Sequence, residues 1–307
     1  MVNCNAMCIC PPPLTQPLVR LELRRTRAGA WLAAGFAASL LVFTTAAQAH
    51  DTWFEPRGQR GAGGVFIALG TGNQFPLHDT AVDAQYLERR GCREAGQAVA
   101  LEALGNTSTA LLLRTRPKGS AAMSCWAQLV SFEIELEASL IALYFEEANA
   151  SAAVRDAWRA MQARGVKWKE RYTKQARIEI DGEARAGGWA NASPGDMAID
   201  LLLERPPRPL RVGDTVRAQL LRDGRPVAGF PLQLRRAQQT VGAWQTTDAE
   251  GRVTLSLPAA DRWLLRGIDI RPSPSEPDAW ETRFVSLAFG VTNEAAKPAA
   301  SKPGSAP

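Results

Sequence analysis

The chain has 307 residues, 46% of them hydrophobic, with 25 Gly, 20 Pro, 9 Trp and 2 His, the profile of a turn-rich globular protein of one large or two modest domains. Its formal net charge is +5, but Arg20, Arg24, Arg25 and Arg27 against Glu22 all precede residue 50, and the remaining 32 basic and 30 acidic residues leave only +2. With no basic stripe interleaved with aromatics, that near-neutral balance excludes nucleic acid as a partner.

Residues 1–49 read as a secretory signal. Arg24, Arg25 and Arg27 form a basic start, an apolar run follows over 30–43, and Ala47-Gln48-Ala49 has the form of a cleavage site. The apolar run is shorter than the ~20 residues of a membrane span. The protein is therefore expected in the periplasm, with an uncleaved N-terminal anchor as the alternative. The first 23 residues, with Cys4, Cys8, Cys10 and three consecutive prolines, do not fit a signal, so the true start is expected downstream of Met1. Two cysteines remain, Cys92 and Cys125. In an oxidising compartment such a pair is expected to form a disulfide, with soft-metal ligation as the alternative.

An N-terminal β domain is expected over 50–132. It contains the strand GVFIAL at 64–69, a loop GTGNQFPLHDTA at 70–81, and short strands near 97–103, 108–114 and 125–132. Residues 133–176, rich in Ala, Glu, Arg and Leu, read as a helical segment. Ile134, Leu136, Leu140, Leu143 and Tyr144 suggest one helix. Ser151 caps a second, and Val154, Trp158, Met161 and Trp168 continue at helical spacing as a stripe that packs on a sheet. A C-terminal sandwich is expected over 177–292, with strands near 198–203, 215–221, 230–235 and 252–257, another beginning at Asp261, and Asp223-Gly224 as a hairpin turn. The predicted fold class is mainly β: two β-sandwich domains, immunoglobulin-like or transthyretin-like, with a helical insertion between them. The tail 293–307 lacks apolar residues and is expected to be disordered.

The two histidines, His50 and His78, each stand before the same dipeptide, in His50-Asp51-Thr52 and His78-Asp79-Thr80. Cleavage after Ala49 makes His50 the new N-terminus. A free α-amine and the imidazole Nδ1 of one residue can chelate a single ion, and the amine's pKa near ~8 makes its proton cheap to displace. A second histidine completes three nitrogens in a histidine brace, a donor set suited to Cu(II) or Ni(II). Asp51, Asp79 and Glu55 are candidates for a further ligand or for support behind the ligands. The bland reading of both histidines is a solvated polar residue near a chain start and an ordinary loop residue. The sequence contains no G-x-S-x-G, Walker loop, H-E-x-x-H or dinucleotide fingerprint, so no catalytic residue is singled out. The run Glu133, Glu135, Glu137 reads as a solvated face.

The opening AHDTWFEP, the loop GTGNQFP, the stretch ALYFEEANAS leading into WKERYTKQARIEI, and the later GRPVAGFPLQL, TTDAEGRVTLSLP and DRWLL together resemble a bacterial exported family of unknown function, described as a periplasmic component of cobalt or nickel transport. The resemblance spans nearly all of residues 49–290. It implies a periplasmic β-rich protein that handles nickel, cobalt or copper by binding rather than catalysis, with an inner-membrane metal transporter as partner. It places His50 first among the metal residues, with Asp51 and Trp53 as fixed neighbours. Members of that family often carry a further histidine after the W-L-L strand, whereas this chain reads WLLRGIDIRPSP there, with Arg266 and Asp269. Two other readings stand beside metal binding. One is a metal-free ligand-binding or structural sandwich, for which an exposed Trp189 or Trp244 argues. The other is a brace-type copper oxidase, which needs an open coordination position.

Overall fold

The computed structural model describes residues 50–183, 192–204 and 208–293. The expected signal segment, all but Asn293 of the expected tail, and Trp189 lie outside them. In chain order the elements are β1 (Asp51–Pro56), β2 (Val65–Gly72), β3 (Thr80–Ala81), β4 (Leu87–Glu94), β5 (Gln97–Val99), β6 (Leu101–Asn106), β7 (Leu111–Thr115), β8 (Met123–Leu129), β9 (Phe132–Leu136), α1 (Ala138–Glu147), α2 (Ala152–Ala163), β10 (Trp168–Ile180), β11 (Ile199–Glu204), β12 (Thr215–Arg222), β13 (Arg225–Pro226), β14 (Pro231–Arg236), β15 (Ala243–Thr246), β16 (Arg252–Ser256), β17 (Asp261–Pro272) and β18 (Trp280–Val291). A short 3-10 turn, Ala84–Tyr86, leads into β4. Among the described residues no helix is long and apolar enough to cross a membrane.

The protein is mainly β and built of sandwiches. Its central wall is a nine-stranded sheet in the order β15-β14-β17-β18-β10-β8-β4-β5, with β9 also paired to β10. A sheet of order β1-β2-β7-β6, with β3 on β2, and another of order β11-β12-β13, with β16 on β12, complete the strands. Named strands pair antiparallel except β10 with β18, which run parallel. The two long strands β17 and β18 serve two cores at once, because successive side chains point to opposite faces. Leu264 and Ala288 join Trp53, Phe54, Ile67, Leu69, Leu111 and Met123 in one core. Trp263, Leu265, Val285 and Leu287 join Ile199, Leu201, Val216, Leu220 and Val253 in another.

The face carrying Leu264 continues along β17 to Ile268 and Ile270, and there the cover changes from strands to helices. Ile141, Tyr144 and Phe145 of α1 and Trp158 of α2 pack on Trp168, Trp280, Phe284, Ile268 and Ile270. Trp168 and Trp280 stack at 4.5 Å with their planes 10° apart, a geometry that adds to the area they bury. Ser151 caps α2, its hydroxyl accepting from the Val154 amide.

Within residues 133–176 helix is confined to α1 and α2, a shorter span than the helical segment expected there. Residues 132–136 alternate, with Phe132, Ile134 and Leu136 half-buried and Glu133 and Glu135 exposed, which is the period of a strand. Trp168 opens β10 instead of closing the second helix, because Trp168 and Glu170 are buried on either side of an exposed Lys169. Strand β4, LERRGCRE, escapes the hydrophobic pattern because its exposed positions carry charges. The expected disulfide is present: Cys92 and Cys125 face each other across β4 and β8 and are bonded, inside the first core.

The bridge closes a loop with a sequence separation of 33. By loop entropy it contributes about 3–4 kcal/mol. Replacing both cysteines by alanine is expected to lower the unfolding free energy in urea by about that amount, and a loss below about 1 kcal/mol contradicts the loop-entropy account.

Candidate metal centre

Strand β1 lies over the face of β17 that carries even-numbered residues. Asp51 Oδ2 is 2.5 Å from Arg266 Nε, and Glu55 pairs with Arg262. Between them Trp53 is buried in the same core as Leu264. Asp51, Trp53 and Glu55 thus match Arg266, Leu264 and Arg262 at the two-residue period of both strands. Three further contacts hold the start of β1. Lys174 Nζ donates to the His50 carbonyl at 2.8 Å, Ser286 Oγ donates to the Thr52 carbonyl at 2.6 Å, and Thr52 and Thr71 share a hydroxyl hydrogen bond of 2.8 Å.

His50 is half-buried just before β1. Burial lowers its pKa and the Lys174 ammonium lowers it further, against the opposing pull of Asp79 and Asp51. Lys174 is itself half-buried, over the rings of Tyr172 and Phe284, and desolvation pulls it down to about 8 while Asp51 and Glu170 oppose the shift. The carboxylate of Asp51, an expected metal ligand, is occupied by Arg266, with Arg235 Nη1 at 3.9 Å.

His78 is placed by glycine. The loop after β2 folds back onto its own strand, and the ring lies over Gly70, where a Cβ would come 2.4 Å from the imidazole Cγ. At Gly72 a Cβ would meet the Leu77 carbonyl at 2.5 Å and the Trp53 ring at 2.8 Å. The GTG of the loop motif is therefore a steric requirement for the loop's return. The ring tilts against Trp53 with centroids 5.0 Å apart, and Nε2 lies 3.1 Å from the Trp53 carbonyl. A carbonyl only accepts, so Nε2 carries the proton and Nδ1 is a bare lone pair. That Nδ1 is buried and has no hydrogen-bond partner. Burial is the largest cause that lowers His78 to about 4; the hydrogen bond to Trp53 opposes it, Arg57 adds to it, and Asp79 opposes it.

Asp79 is exposed. Its Oδ2 accepts from the Asn73 amide at 3.0 Å, and its own amide donates to the Thr71 carbonyl at 2.8 Å. Its charge acts on both imidazoles. The four expected metal residues thus lie toward one end of the β1–β2 pair, in different states, with Asp51 turned to arginine. His50 and His78 are neutral-leaning nitrogen donors, Asp79 is a nearby carboxylate, and Asp51 is spent on arginine. Among the described residues no group of three or more His, Cys, Asp or Glu side chains is gathered as a metal cage. A brace needs only two side chains and an amine, and the orphaned Nδ1 of His78 suits one of its three nitrogens. Lys174, Arg235 and Arg266 escaped the sequence reading as parts of this site. The available signal was a charge inside an apolar strand pattern, as in WLLRGIDI. Trp244, on the edge strand β15, is 36% exposed.

The sequence profile of Domain of unknown function (DUF4198) matches residues 47–268. No curated protein matches the chain. Among solved structures, the D0-D1 domain of Intimin is similar at 11% identity and a TM-score of 0.20, over 77% of this chain and 97% of that one. The mouse nectin-like molecule 4 full ectodomain (Ig1-Ig3) is similar at 11% identity and a TM-score of 0.18, over 80% of this chain and 66% of that one. Likenesses this slight carry no functional weight.

His78 makes stability depend on pH. Between its ordinary value of 6.5 and its folded value of about 4, the unfolded chain takes up a proton that the folded chain refuses, so this ring makes stability fall as pH falls through that window. Glu55, raised by burial from 4.5 to about 7 against the pull of Arg262, acts with the opposite sign, making stability fall as pH rises from 4.5 to 7. His78→Gln removes the first contribution and leaves the second. Relative to wild type, the variant is expected to gain on the order of 2 kcal/mol in unfolding free energy between pH 7 and pH 4.5. A difference that does not move with pH is inconsistent with a buried neutral ring.

Proposed function

We propose that this chain, which belongs to the DUF4198 family, is an exported periplasmic protein that binds one divalent transition-metal ion, copper, nickel or cobalt, where β1 begins, and delivers it to an uptake system in the inner membrane. The observation that carries the reading is His78 Nδ1, a buried lone pair with no partner, on a ring whose other nitrogen is fixed by the Trp53 carbonyl. A metal-ligating histidine commonly has its second nitrogen held by a carbonyl in this way, which sets the tautomer and aims the ring.

In this reading, cleavage after Ala49 frees the α-amine of His50. The amine and the His50 Nδ1 supply two nitrogens and His78 Nδ1 the third, and nitrogen donors in such a set favour Cu(II) or Ni(II). The Lys174 ammonium on the His50 carbonyl holds the new terminus against the sheet, and its charge favours the unprotonated ring that a ligand must be. The Asp79 carboxylate offsets cationic charge at the same end. Asp51 has a positioning role, as the ion pair that seats β1.

Intact mass and metal analysis of protein isolated from periplasm test this. The expected result is a chain that starts at His50 and holds close to one ion. His78→Ala is expected to weaken Cu(II) binding by about 10–100-fold, and His50→Ala to abolish tight binding. A correct start with no uptake of Cu(II), Ni(II) or Co(II) overturns the metal reading in favour of a metal-free sandwich module. Peroxide-dependent turnover by the copper-loaded protein shifts the assignment to a brace-type oxidase.

A further inference from the structure

Beside Asp51 the sheet opens into a cavity of about 290 Å³. Its floor is arginine. Arg266 of β17 has a side chain only 1% exposed, and Arg235 of β14 one 19% exposed. The Gln233 Oε1 joins them, accepting from Arg235 Nε at 2.7 Å and from Arg266 Nη1 at 3.1 Å. Its mouth is made by two loops tied together by a hydrogen bond from the Gln238 amide to the Phe75 carbonyl, 3.0 Å.

The two guanidiniums are not equally served. Arg266 has Asp51 at 2.5 Å, and its Nη1 also donates to the Glu147 carbonyl at the end of α1, 3.2 Å. Arg235 spends only Nε in a hydrogen bond, and Asp51 stands 3.9 Å from its Nη1. Its two terminal nitrogens, the fork that grips carboxylates, make no hydrogen bond among the described residues. Burial and the neighbouring Arg266 both disfavour its charge, and Asp51 and Glu147 oppose them. A mostly buried guanidinium that leaves its fork unused bears a desolvation cost that a bound anion offsets. Around the rim, the side chains of Gln74, Gln239 and Thr240 line the same cavity and make no side-chain hydrogen bond among the described residues.

We infer that this cavity binds a small hydroxycarboxylate, its carboxylate taken by the Nη1 and Nη2 of Arg235 and its hydroxyls by Gln74, Gln239 and Thr240. A planar carboxylate matches the arginine fork. With Asp51 and Glu147 already close by, a singly charged ligand suits the local balance better than a phosphate dianion. The site uses neither His50 nor His78, so it stands or falls apart from the metal reading.

The test is calorimetric titration of the metal-stripped, disulfide-intact protein with L-lactate, D-glycerate and D-gluconate, with D-glucose and inorganic phosphate as comparators. At least one of the three monoanions is expected to bind, and glucose, which lacks the carboxylate, is not. Arg235→Gln is expected to weaken that binding by about 10–100-fold. Gln239→Ala, at the exposed rim where folding is not at stake, is expected to weaken it by about 2–10-fold. Thermal unfolding of each variant without ligand checks that the fold is intact. No binding of any monoanion by the wild-type protein, or equal binding by a folded Arg235→Gln, overturns the site. Tighter binding of phosphate than of every carboxylate overturns the ligand class.

Discussion

One face of the nine-stranded sheet is covered by two different roofs, and the structure depends on how their seam is closed. Strand β1 covers the sheet around Leu264 and Ala288, and α1 and α2 cover it around Ile268, Ile270 and Phe284. Between these apolar patches runs a row in register across three strands: Gln233, Arg266 and Ser286. Burying a guanidinium there costs several kcal/mol unless its donors are satisfied. Arg266 offsets that cost from both roofs, with the Asp51 ion pair from the strands and an Nη1 hydrogen bond to the Glu147 carbonyl at the end of α1, while its Nε makes no hydrogen bond. Ser286 holds the Thr52 carbonyl, and Lys174, one strand further on, holds that of His50. The seam is polar because β1 begins there and α1 ends there, and each leaves backbone groups that need partners.

Both candidate sites are consequences of that closure. The start of β1 is fixed at three successive residues, His50, Asp51 and Thr52, so the position of His50 is set by the sheet beneath it. His78 comes to the same end because Gly70 and Gly72 let the following loop lie flat on β2. The arginine cavity lies on the other side of Asp51. One carboxylate between two guanidiniums settles on Arg266 and leaves Arg235 with an unspent fork. The unequal sharing of Asp51 separates a structural arginine from one available to bind.

Much of the C-terminal sandwich is readable from its residues. TTDAEGRVTLSLP and DGRPVAGFPLQL carry turn signals followed by alternating or branched residues, and β14, β16 and the turn at Asp223-Gly224 lie within a residue of those readings. The cysteine pair is likewise legible, because only two cysteines follow residue 49. The parallel join of β10 to β18, more than a hundred residues apart, is not, since it arises from how far strands are from each other in space and no local pattern encodes it. Trp168 is ambiguous for a related reason: in sequence it continues a helical stripe, while in space it belongs to the sheet on which that stripe packs. The histidines are legible by position, one after Ala47-Gln48-Ala49 and the other inside a glycine loop. Arg266 was visible only as the residue standing where a histidine was awaited. Its partners, Asp51, Gln233 and Glu147, are brought to it from far along the chain, so its role could not be read locally.

Strands β17 and β18 line two cores with their opposite faces, and the described residues form one compact unit. The two sandwiches share a wall. A shared wall works against capture of a ligand by clamshell closure of the two sandwiches. Any gating falls to the short loops at its rim, the one that carries His78 and the one after β14, and these two are already latched to each other through Gln238 and Phe75. A movement of the loop that carries His78 is therefore coupled through that hydrogen bond to the loop that borders the arginine cavity.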